Sequence, residues 1–77
     1  MIKEAIYIED YKILVKFHDG VERLLDLQTF LQNVALPNVR KYLDPELFKT
    51  FYITPWGLCW GNNEWDINPI DIYNQNI

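Results

Sequence analysis

Apolar and polar residues change places along this chain with two different periods, and the change from one to the other outlines the fold. Ile2, Ile6 and Ile8 alternate with Lys3, Ala5 and Tyr7, the period-two pattern of a strand at about 2–8, with Glu4 on the isoleucine side as at a sheet edge. After Glu9-Asp10, Tyr11, Ile13, Val15 and Phe17 alternate with Lys12, Leu14 and Lys16, the clearest strand signal in the sequence. Asp19-Gly20 follows at once. It predicts a two-residue type I′ loop that pairs His18 with Val21 and Val15 with Leu24. In that register both faces of the hairpin carry apolar side chains, so the sheet is either covered twice or offers its second face for docking.

The period then lengthens. Leu27, Phe30, Leu31 and Val34 repeat at helical spacing behind Asp26, whose carboxylate suits an N-cap, and the helix stops before Pro37. Val39, Tyr42 and Leu43 suggest a second short turn, and Asp44-Pro45 has the cap-then-proline order that opens a third. Phe51 to Thr54 and Leu58 to Trp60 are short β-prone runs joined by Pro55-Trp56-Gly57. Gly61-Asn62-Asn63 is another turn, Trp65 to Ile67 a last extended piece, and Asn68-Pro69 the start of a terminal helical turn after which Gln75 to Ile77 fray. The expectation is a single α+β domain over 1–77: small antiparallel sheets, one packed helix and short helical turns.

Composition narrows the function classes. Of the 77 residues 49% are hydrophobic and 16% aromatic, enough for a short chain to fold without staples. Cys59 is the lone cysteine, so no internal disulfide forms, and with no leader-like start the expected compartment is a reducing cytoplasm. No apolar run approaches the ~20 residues of a bilayer span. The formal net charge is −4, and beyond Lys49 the only charged residues are Glu64, Asp66 and Asp71. Such a surface repels nucleic acid, whose affinity is carried by Lys and Arg on phosphate, and favours a basic protein partner; it also keeps a small domain dissolved.

Chemistry is thinly represented. The chain has no serine, one histidine and one cysteine. His18, beside a tight loop, reads as a structural or solvent-facing residue and not as a general base, and Cys59, between Leu58 and Trp60, reads as a small buried hydrophobe. Glu64, Asp66 and Asp71 lack the loop spacing and ligand number of a calcium site. Three glycines spread over three turns make no phosphate loop. No catalytic residue, cofactor or metal is therefore expected. The aromatic excess remains: Trp56, Trp60 and Trp65 fall within ten positions. Trp60 reads as core, whereas for Trp56 and Trp65 core and interface are both open, since exposed tryptophan is enriched in binding hot spots. Trp56, Glu64, Trp65 and Asp66 are the candidate partner-binding residues. A homodimer through an unpaired strand edge or the aromatic side is a further association that so small a domain favours.

The run Tyr11-x-Ile13-x-Val15-x-Phe17-x-Asp19-Gly20, then Leu25-Asp26-Leu27, Leu43-x-x-x-Leu47-Phe48, Leu58-x-Trp60 and Asp66-Ile67-x-Pro69-x-x-Ile72-Tyr73 resembles the small prokaryotic domain-of-unknown-function family twenty-four forty-two over nearly the whole chain. These motifs are structural ones, and the resemblance carries over no catalytic residue. It implies likeness to the N-terminal domain of a bacterial helix-turn-helix protein, and a place beside a second small gene in the manner of a toxin and antitoxin pair. Glu64-Trp65 departs from the family pattern, which has smaller residues before the aspartate. The function expected on these grounds is a non-catalytic protein-interaction module, an acidic antitoxin-like subunit. The alternative is a small-ligand sensor or adaptor domain associated with a DNA-binding regulator.

Overall fold

The computed structural model describes all 77 residues. Three antiparallel strands, β1 (Ile2–Tyr7), β2 (Lys12–Phe17) and β3 (Glu22–Asp26), form a first sheet in the order β1-β2-β3. Helix α1 (Gln28–Asn33), α2 (Pro37–Arg40), a 3-10 turn (Lys41–Leu43) and α3 (Pro45–Phe48) lead to a second antiparallel sheet of β4 (Tyr52–Thr54), β5 (Gly57–Trp60) and β6 (Trp65–Ile67) in chain order, and α4 (Pro69–Tyr73) follows. The fold class is α+β, as expected. One continuous cluster of 15 buried apolar residues draws on both sheets and every helix, and no helix is long and apolar enough to cross a membrane.

The first hairpin differs from expectation by one residue. Val15 faces Arg23, Leu14 faces Leu24 and Ile13 faces Leu25, because the loop holds three residues. The Phe17 amide donates to the Val21 carbonyl and the Gly20 amide to that of Phe17, with Gly20 at φ +91°. The Asp19 carboxylate takes the Val21 amide at 3.0 Å, so only Gly20 needs a positive φ, the arrangement of a three-residue loop with a glycine bulge. The slip reverses every side chain of β3. Leu25 and Leu27 turn into the core beside Ile13 and Val15, while Leu24, 55% exposed, turns out. The opposite register would have buried Asp26 with Leu24.

Strand β1 shows a second reversal. A register irregularity between Ile2 and Glu4 puts Ile2, Ala5 and Tyr7 toward the core, and leaves Ile6 and Ile8 exposed. Ile6, Leu14 and Leu24 thus stand in one row across the outer face. Tyr11 belongs to the turn before β2 and not to the strand. Asp10 and Tyr11 both take positive φ, the Lys12 amide donates to the Glu9 carbonyl, and the Tyr11 hydroxyl donates to the Leu43 carbonyl. Its ring meets Phe48 edge-on at 5.3 Å, a tertiary contact that holds a side chain where a turn would ordinarily favour glycine or asparagine.

The helical middle follows its caps. Asp26 accepts from the Gln28 amide at 3.1 Å, although Leu27 occupies the cap position itself. Asp44 caps α3 through the Glu46 amide, and Asn68 caps α4 through the Ile70 amide. Helix α1 has lost one expected face: Leu27 and Leu31 are fully buried, but Phe30 is 42% exposed. Residues 75–77, expected to fray, are folded back. Gln75 takes φ +58°, its amide donates to the Ile72 carbonyl, and the Asn76 amide reaches that of Asp71 at 2.9 Å. This is a Schellman closure with glutamine at the left-handed position, and it brings Asn76 and Ile77 against α4.

Candidate functional site: an acidic groove on an aromatic stack

Three rings lie in one column. Trp60 and Trp65, opposite each other on β5 and β6, stack with centroids 4.0 Å apart and planes 18° from parallel. Phe30 of α1 stacks on Trp65 in turn, at 5.6 Å and 12°. Along the column the rings pass from the centre of the molecule to its surface: Trp60 is fully buried, Trp65 is 7% exposed, and Phe30 is the outermost. The foot of the column is fixed, since the Trp60 indole N–H donates to the Phe48 carbonyl at 2.8 Å.

The column emerges into a groove of about 640 Å³ lined by α1, β6, α4 and the folded-back terminal residues. Leu27, Phe30, Trp65 and Ile67 form its floor, and Ile77 adds a wall. Asp66 borders it from β6 and Asp71 from the first turn of α4, and no Lys, Arg or His is among its lining residues. Strand β6 has no partner on its outer side, so the groove runs beside a free strand edge. Three cations near these segments in sequence are bound within the chain. Arg23, which lines a smaller adjoining pocket together with Asp71 and Ile77, donates to the Tyr73 carbonyl. The Arg40 guanidinium donates to the Gln32 and Val34 carbonyls, and Lys41 is bound to Glu64.

The four candidate partner-binding residues do not form one surface. Trp65 is core and reaches the groove only as part of its floor, because its pairing with Trp60 leaves little of it free. Asp66 is exposed at the groove's rim. Trp56 lies at the tip of the β4–β5 turn, 77% exposed, and does not line the groove. Glu64 is engaged inside the molecule: the Lys41 ammonium sits 2.7 Å away and the Tyr42 hydroxyl donates to it at 2.9 Å. The sequence reading missed Phe30, Asp71, Asn76 and Ile77 as neighbours of Asp66. The signal that could have found Phe30 is its place at the edge of the α1 stripe, where a bulky ring is only half covered.

The Glu64 cluster has a pH signature. The Lys41 ammonium first, and then the Tyr42 hydroxyl, hold the Glu64 carboxyl below its ordinary value. Burial first, and then the Glu64 hydrogen bond and charge, push the Tyr42 phenol up to about 12. Glu64 therefore stabilises the fold above the ordinary carboxylate range, and that contribution disappears as the pH falls through its depressed value. Tyr42 works in the other direction: the folded state keeps its proton longer than the unfolded chain, so stability declines as the pH rises from the ordinary 10.0 toward about 12. In a tyrosinate absorbance titration one of the five tyrosines should ionise last, and in Glu64→Gln that late step should move to lower pH. The urea midpoints of Glu64→Gln and the wild type should also converge in acid. A late step unmoved in Glu64→Gln would show that Glu64 does not act on Tyr42.

Elsewhere the charged groups hold the structure together. Tyr73 of α4 donates to Asp19 at 2.8 Å, and Arg23 donates to the Tyr73 carbonyl at 2.8 Å while lying over its ring, which ties α4 to the first hairpin. Cys59 is buried, with Thr54 Oγ1 3.4 Å from its Sγ. His18 is exposed. No three His, Cys, Asp or Glu side chains are grouped to hold a metal ion.

The sequence model of one family, described as "Protein of unknown function (DUF2442)", matches residues 2–77. The chain belongs to this family. The match covers both sheets, all four helices and the groove, so the DUF2442 domain and the fold described above are coextensive. No curated protein and no solved structure matches the chain.

Proposed function

We propose that this DUF2442 protein is a non-catalytic protein-interaction module, the acidic, antitoxin-like subunit of a cytoplasmic two-gene pair, and that it acts by covering a basic surface of its partner. The observation that carries the reading is the groove: an apolar, aromatic floor whose only charged borders are Asp66 and Asp71. Apolar area supplies the attraction, and a rim of one sign selects a partner of the other and rejects nucleic acid. The −4 net charge extends the same bias over the whole molecule. Co-expression with the product of the adjacent gene, followed by affinity capture through a tag on either chain, is expected to recover both in a stable complex that weakens with added salt. Separation of the two chains on capture would end the antitoxin reading.

A second reading draws on the groove's size. About 640 Å³ falls within the ~300–1,000 Å³ of small-molecule sites, which suits a ligand-sensing or adaptor domain attached to a DNA-binding regulator. A thermal-shift screen separates the two: a low-molecular-weight ligand that raises the midpoint of the isolated chain favours the sensor.

A further inference from the structure

Three tyrosines, the buried Tyr42 and the partly covered Tyr7 and Tyr73, are met by cations from within the chain. Arg23 lies 5.3 Å from the Tyr73 ring centre, Lys41 5.4 Å from that of Tyr42, and Lys49 5.2 Å from that of Tyr7. Phe30, like the exposed Tyr52 and Trp56, meets no cation of its own chain, but of these it alone lines the groove. It ends the aromatic column, it is the most exposed ring of the three, and it opens on a groove that contains two acidic residues and no cation. From these observations we infer that the groove receives an arginine side chain of a partner protein, flanked by apolar residues. This inference rests on the reading of the chain as a protein-binding module and assigns the chemistry of its contact.

The geometry selects for a guanidinium. A planar cation laid parallel to Phe30 continues the Trp60-Trp65-Phe30 stack, and its edge N–H groups remain free to donate to carboxylates at the rim, where Asp71 and Asp66 stand. An ammonium, compact and strongly hydrated, makes the charge contact but not the stack. The groove is also larger than one side chain. Leu27, Ile67 and Ile77 line it beside the aromatic floor and offer apolar contact to residues on either side of the arginine, so a segment of polypeptide fits it better than a free arginine does.

The test is a titration of the isotope-labelled full chain, followed by amide and indole N–H resonances, with a blocked pentapeptide Ala-Leu-Arg-Leu-Ala. Saturable shifts are expected at the Trp65 indole and at the Phe30 and Asp71 amides. Binding should weaken about tenfold when glutamine replaces the arginine, and comparably in Phe30→Leu and Asp71→Asn, both exposed positions whose spectra should otherwise keep the wild-type pattern. Shifts scattered over the surface, or a glutamine peptide that binds as well, would overturn the assignment. So would N-acetyl-arginine amide binding as tightly as the pentapeptide, which would make the groove a small-molecule site. Capture of the adjacent gene product by wild type, Phe30→Leu and Asp71→Asn alike would leave the interaction reading standing and remove the arginine contact from it. Peptide binding without capture of that product would support the arginine groove and count against the two-gene pair.

Discussion

Trp60→Ala should cost the fold about 3–5 kcal/mol, the range for emptying the site of a large buried aromatic. The total stability of a chain of this size is itself only about 4–12 kcal/mol at the usual contribution per residue, so the variant is expected to be partly or wholly unfolded in buffer at 25 °C. The reason is position. Trp60 is fully buried on the central strand of the second sheet, in aromatic contact with Tyr42, Phe48, Phe51 and Trp65, and it joins the helical middle of the chain to that sheet through its bond to the Phe48 carbonyl. Trp60→Phe separates the two contributions. The ring keeps most of the packing, while the Phe48 carbonyl loses its indole donor, a loss of about 1–3 kcal/mol when the acceptor stays buried. Urea denaturation followed by far-ultraviolet circular dichroism is the measurement. An alanine midpoint close to that of the phenylalanine variant would mean that the column carries little of the stability assigned to it. The same substitution bears on function, since Trp65 would lose the surface it rests on and Phe30 its alignment over the groove.

Fold class and the order of elements were legible in the sequence because they follow from local chemistry. Asp44-Pro45 and Asn68-Pro69 open helices by side-chain capping, and Pro55-Trp56-Gly57 marks a tight turn whose two loop residues are Pro55 and Trp56, with Gly57 already paired to Thr54. Which face of a strand is inside was legible on β2, where the other face carries Lys12 and Lys16, but not on β3, where the expected register would have buried Asp26. The Ile2, Ile6 and Ile8 alternation pointed the wrong way, because one irregularity beside Glu4 exchanged the faces and gave the core Ala5 and Tyr7 in place of Ile6 and Ile8. At Asp19-Gly20 the dipeptide fits loops of two or three residues, and the choice was made far away, by Leu27 following Leu25 into the core.

The groove was harder to read than the sheets, for a related reason. Its floor and rim come from α1, β6, α4 and the terminal residues, which are separated in sequence and meet only after the chain has packed. Asp66 was found on charge alone. Its neighbours Asn76 and Ile77 were not, because the turn that returns them is closed by Gln75 in a conformation that sequence patterns associate with glycine. Trp65 belongs to both readings at once: a core residue by exposure, it is also the layer through which the interior supports Phe30. The proposed binding surface rests on buried rings beneath and is half open above, so ordering it on contact would cost little side-chain entropy.

Gly57→Ala is expected to be the most damaging small substitution in the chain. A Cβ placed there would stand 2.0 Å from the Ile67 carbonyl oxygen and 2.9 Å from the proline ring of Pro69, on a backbone at φ +130°. Neither obstacle is a flexible side-chain end: one is the main chain of β6 and the other the first residue of α4. Relief therefore requires β6 to leave β5 or the turn after β4 to be remade, and a cost of about 3 kcal/mol or more follows from strain and lost pairing together. Gly20→Ala supplies the control, because Gly20 also has a positive φ, at +91°, but has nothing within 4 Å of the added carbon. That change should cost only the conformational penalty of about 1–2 kcal/mol. Equilibrium unfolding of the two variants side by side isolates the contact from the dihedral, and equal losses would show that Gly57 is not clamped between β5, β6 and α4. If the gap is found, the groove depends on a glycine outside its lining, since Gly57 sets the spacing at which β6 brings Trp65 and Ile67 under Phe30 and holds α4, with Asp71, beside them.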